Sequence, residues 1–97
     1  MKIYARKVTG IKIYVAIWED RHTDVIVEAF STEELAIAWA HAAATNISNS
    51  YSEERFSDNT RQRSGWIYSI TYSSDGDHIT VVETCLDAAA LTRPKNA

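Results

Sequence analysis

The sequence predicts an α+β domain: an antiparallel sheet of four strands, five if residues 2–8 add another, with one helix packed on one face in the order ββαββ. Three observations predict it. Residues 11–18 alternate as I-K-I-Y-V-A-I-W, residues 30–46 place a capping motif ahead of an alanine-rich run, and Asp75-Gly76 separates two further alternating stretches. With 97 residues the chain is expected to form a single domain over 1–97, long enough for one core and not for a second.

In chain order, residues 1–10 are basic at Lys2, Arg6 and Lys7 and alternate only weakly, so they read as an edge strand or a flexible lead. Thr9-Gly10 marks a turn. Residues 11–18 then place Ile11, Ile13, Val15 and Ile17 on one side and Lys12, Tyr14, Ala16 and Trp18 on the other. Both sides become apolar, which suits a central strand. The polar residues 19–24 lead to a β-branched strand at 25–30, and so short a connection favours an antiparallel hairpin.

The helix at 30–46 reads Ser31 as N-cap with Glu34 three residues on, and Phe30 with Leu35 as a hydrophobic staple. Alanines at 36, 38, 40, 42, 43 and 44 supply high helix propensity, and Asn46 suits the C′ position. Leu35, Ala38, Trp39 and Ala42, flanked by Ile37, read as the buried stripe, with Glu33, Glu34, His41 and Thr45 on the polar side. Residues 46–64 are polar and aperiodic and read as a mobile loop. Residues 65–72 and 78–85 form the second hairpin, and 87–97 read as a frayed tail that proline interrupts at Pro94.

Composition narrows the function. Net charge of −3 argues against a general nucleic-acid binder. No apolar run approaches the ~18–20 residues of a membrane span. Cys85 is the sole cysteine, which excludes an intrachain disulfide and suits a reducing cytoplasm; in a strand without a neighbouring base it reads as a buried, inert thiol.

Asp20, His22 and Asp24, if extended, project on one side and would suit a divalent metal or a carboxylate-poised imidazole. The plainer reading is a solvated hairpin end in which Arg21 pairs with a carboxylate. Asp75, Asp77 and His78 lack the pattern of a calcium loop and read as a turn. No phosphate loop, nucleophile elbow or zinc cysteine pair is present in the sequence, so no cofactor is expected and an enzyme is the minority reading. Trp18, Trp66, Tyr68, Tyr72 and Tyr14 outnumber what one helix covers. Their sheet is expected to leave an aromatic face for a partner or a second copy, with a stacking platform for single-stranded nucleic acid as a lesser reading.

Residues 14–40 carry a connection R-H-x-D-V and a helix opening F-x-T-E-E, through Arg21, His22, Asp24, Val25, Phe30, Thr32, Glu33 and Glu34. In these residues, about a third of the chain, it resembles a group of small proteins of bacteriophages and other mobile elements. That resemblance implies a viral origin and a cytoplasmic role in the host cell, as a binder that blocks a host protein or defence complex, anti-CRISPR inhibitors included. The expected contact residues are Asp20, Arg21, His22 and Asp24, with Tyr51, Arg55 and Phe56 from the polar stretch, because arginine and aromatic anchors dominate such interfaces. The alternatives are a small metal-dependent or acid/base enzyme using Asp20, His22 and Asp24, and an accessory nucleic-acid binder acting through the basic N-terminal segment.

Overall fold

A computed structural model describes residues 10–87. Its elements are β1 (Gly10–Glu19), β2 (Ile26–Phe30), α1 (Glu33–Ile47), β3 (Ser52–Arg55), α2 (Asp58–Ser64), β4 (Trp66–Thr71) and β5 (His78–Asp87). The strands form one antiparallel sheet in the order β2-β1-β5-β4-β3. The predicted α+β class and a five-stranded sheet under one main helix are therefore what the chain adopts. The fifth strand is β3, which lies with α2 inside the stretch read as a loop. An N-terminal strand at 2–8 and a frayed tail beyond 87 fall outside the described residues. Among the described residues no helix is long and apolar enough to cross a membrane.

The cap of α1 sits one residue later than expected. Thr32, not Ser31, accepts the Leu35 N–H at 3.2 Å, which leaves Glu34 outside a capping box. Glu33 and Glu34 still place negative charge at the positive end of the helix dipole. The helix closes on Ser48 with extended backbone, so Asn46 is not a left-handed C′ residue.

The buried stripe of α1 is also rotated from the expected one. Ala36, Ala40 and Ala44 are fully buried, with Ile37, Trp39 and Ala43 beside them, while Leu35 is 54% exposed. Following the largest side chains misplaced the stripe. The alanines bring the helix axis close to the sheet, and the sheet supplies the bulk through Tyr68, Ile70, Tyr72, Ile79 and Val81. Phe30 packs at 5.8 Å from Trp39 rather than stapling Leu35.

Opposed residues in an antiparallel pair share a face, so the register assigns the two faces of the sheet. Tyr14, Ala16 and Trp18 of β1 stand opposite Glu83, Val81 and Ile79 of β5, and this is the face that α1 covers. Tyr14, Trp18, Tyr68 and Tyr72 are therefore core under the helix and not an exposed platform, with Trp18 meeting Trp39 edge-on at 5.7 Å. The opposite face is aliphatic along β1 and β2 and carries Thr80, Thr84 and Ser69 along β5 and β4. Val15 stands between Ala29 and Val82, and Ile17 between Val27 and Thr80. Trp66 joins this second face because an irregularity between Trp66 and Tyr68 breaks the alternation, and the ring stays exposed.

Short links hold the remaining parts. Arg61 of α2 reaches back to Glu33 at the start of α1, Nη2 to Oε1 at 2.6 Å. Lys12 pairs with Glu83 across β1 and β5 at 3.4 Å. Cys85 is exposed, contrary to the expected buried thiol, because it falls near the end of β5 beyond the reach of α1.

Candidate functional site

The β1–β2 connection and the β4–β5 turn meet at one end of the sheet, because β1 and β5 are neighbours in it. Residues 20–23 curl into a turn, with the Thr23 N–H donating to the Asp20 carbonyl at 3.1 Å. The curl overturns the expected alternation. Asp24 leaves the cluster, and Asp77 of the other turn takes its place: ligand-type atoms of Asp20, His22 and Asp77 lie within 4.8 Å of one another.

Every carboxylate oxygen in this group has a donor. Asp20 Oδ2 accepts from the Tyr72 hydroxyl, which itself accepts from Trp18 Nε1 at 2.7 Å. Asp20 Oδ1 accepts the His22 N–H at 2.8 Å and faces His22 Nδ1 at 3.1 Å. Asp77 is buried; its Oδ1 accepts the Arg21 N–H at 3.1 Å and its Oδ2 the Ser73 hydroxyl at 3.0 Å. Arg21 Nη1 also lies 3.5 Å from Asp75 Oδ1. The two turns are thus clasped through buried or half-buried acceptors, while the side chains of Arg21 and His22 remain 58% and 73% exposed. The main chain at Arg21 and His22 is thus fixed, while each exposed side chain keeps one polar contact, to Asp75 and Asp20 respectively.

The electrostatics follow from these bonds. The Tyr72 hydroxyl first, then the His22 N–H, holds the Asp20 carboxyl below its ordinary value of 3.8. Burial, then the hydrogen bond to Asp20, pushes the Tyr72 phenol up to about 12. A carboxyl that titrates lower in the folded chain than in the unfolded one contributes stability above its unfolded value, and that stability is lost as pH falls through the folded value. Thermal melts from about pH 6 to about pH 2 are expected to fall more steeply for the native chain than for Asp20→Asn. Parallel acid limbs would mean that the clasp does not depend on the Asp20 charge.

The other expected contact residues do not join this end as one patch. Tyr51 lies nearest, meeting His41 edge-on at 5.5 Å and lining a groove of about 640 Å³ with Ser48, Ser50 and Ser73. Arg55, farther along β3, lies 5.4 Å from the centre of the Tyr68 ring on the helix-covered face. Phe56 packs at 5.5 Å against Trp66, on the other side of the sheet. Sequence reading missed Tyr72, Ser73 and Asp77 as partners of the 19–24 stretch. Their signal was the S-S-D-G-D turn, which becomes informative only once β5 is known to lie beside β1.

Compared with known proteins, the chain matches no family model, no curated protein and no solved structure.

Proposed function

We propose that the chain is a phage-type protein-binding module that inhibits a host protein complex by stoichiometric binding, in the class of anti-defence and anti-CRISPR inhibitors. The clasped end carries the reading: Arg21 and His22 project from main chain tied to Asp77 and Asp20. An arginine on a loop ordered before binding loses less entropy on docking, which favours affinity without a deep pocket. Asp24 follows this turn and Tyr51 lies beside Ser73, whereas Arg55 and Phe56, on opposite faces of the sheet, would not share one contact with it.

Affinity capture from bacterial lysate tests it, with Arg21→Ala/His22→Ala as the control. Capture of a host complex is expected, with the double variant at least about 30-fold weaker, the loss typical of a hot spot. A complex captured equally by both would place the interface elsewhere.

The second reading, a cation held by Asp20, His22 and Asp77, draws on their 4.8 Å grouping. The ion would share these carboxylates with donors from Tyr72, Ser73 and two main-chain N–H groups, and His22 Nδ1 would have to leave Asp20 Oδ1 for it. Stoichiometric metal retained by the purified protein, and lost in His22→Ala, would favour it. Binding of nucleic acid by the basic residues before Gly10 would instead weaken steeply with salt.

A further inference from the structure

We propose that the aliphatic face of the sheet docks face to face on the same face of a second copy of this chain. Ile13, Val15 and Ile17 run down its middle, with Val27 and Ala29 of β2 on one side and Val82 of β5 on the other. Ile11, Val27 and Trp66 are exposed large apolar side chains in a structure whose helices lie on the opposite side. A patch of this kind marks an interaction surface more often than a solvated one.

Three features select a second copy as the occupant. The first is charge: among the described residues the patch carries none, so a two-fold pairing sets no like charges of these residues against each other. The nearest ionisable groups among the described residues of this face are at its margins, Glu54 opposite Ser69 and Glu19 already paired with His78 at 2.9 Å. The second is shape. The β1, β5 and β2 side chains form a broad pleated surface, and two such surfaces pack at the ordinary ~10 Å sheet separation. The third is area. Four strands about 4.8 Å apart and about eight residues long project about 500 Å² per copy. Two copies then bury about 1,000 Å² in projection and more in accessible surface, which reaches the lower bound for a specific interface. A two-fold dimer also displays two clasped loops, so the pairing adds valency to the proposed target binding and does not depend on it.

Sedimentation velocity on the full chain alone tests the pairing, from about 1 to about 200 µM, the span in which interfaces of modest area dissociate. The 10.9 kDa chain is expected to shift from monomer to dimer across that span. Val27→Glu and Ile11→Glu, both at positions already exposed, are expected to keep it monomeric throughout with unchanged circular dichroism. Cys85→Ser, exposed on the other face, is expected to leave the dimer intact. If either glutamate variant fails to fold, Val27→Ser and Ile11→Thr replace it and are expected to weaken association at least tenfold. A native chain that stays monomeric at every concentration overturns the proposal. So does a dimer that every folded face variant leaves unchanged. Neither result bears on whether a host complex is captured.

Discussion

Gly65→Ala is expected to lower stability by about 2–4 kcal/mol, combining a strained backbone with a backbone collision. Gly65 ends α2 with φ of +79°, its N–H donating to the Arg61 carbonyl at 2.7 Å. Its own carbonyl accepts the Glu83 N–H at 2.6 Å, tying the start of β4 to β5. A side chain here meets more than an unfavourable φ, since a Cβ would sit 2.6 Å from the Glu83 carbonyl oxygen. That oxygen is main chain and cannot swing aside. Gly76 provides the comparison: its φ is +93°, but a Cβ there meets nothing within 4 Å. Gly76→Ala is therefore expected to cost about 1 kcal/mol, the conformational share alone. Urea denaturation followed by tryptophan fluorescence reads both. Equal losses at the two positions would mean that the close approach to Glu83 is not what Gly65 serves.

Ala40→Leu is expected to destabilise by about 1–3 kcal/mol, against about 0.5 kcal/mol or less for Leu35→Ala. The expectation inverts the usual ranking of leucine over alanine in a helix. Ala40 is fully buried between Ala36 and Ala44, and these small side chains let α1 lie close to Ala16, Tyr68 and Val81. Added carbons there must lift the helix or force side chains from their rotamers. Leu35 is 54% exposed, so shortening it gives up little buried apolar area. The same denaturation measurement decides. A larger loss for Leu35→Ala would restore the stripe that hydrophobic size alone suggests.

The comparison of these two residues shows what could be read from the sequence and what could not. Alternation located β1, β4 and β5, which carry apolar residues at period two on a buried face, and β-branched residues located β2, where all but Phe30 are exposed. The helix was legible from its alanines and an acidic first turn. Its rotation was not, since both stripes are apolar and the choice depends on the shape of the sheet beneath. The strand S-E-E-R was invisible for a related reason. β3 is an edge strand with all four residues exposed, and only its pairing with β4 makes it a strand. The side that Trp66 takes was not legible either, because strict alternation would put it with Tyr68 and the irregularity between them has no local signature. Of the clasp, Asp20, Arg21 and His22 were legible as the densest polar stretch. Asp77 and Tyr72 were not, because the contact spans more than fifty residues and follows from strand order.

The clasp bears on a different difficulty, that of aligning β1 correctly. Most strands resist a one-residue slip because it would turn their polar side chains inward. Here a slip against β5 would exchange Tyr14, Ala16 and Trp18 for Ile13, Val15 and Ile17, and the exchange leaves apolar side chains facing both ways. Two features oppose it. Only the small Ala16 fits beneath the alanines of α1, and only the native alignment, with Glu19 beside His78, brings Asp20 to Tyr72 and Arg21 to Asp77. The end of the sheet that presents Arg21 and His22 thus also acts as the key that selects one of two nearly equivalent strand pairings.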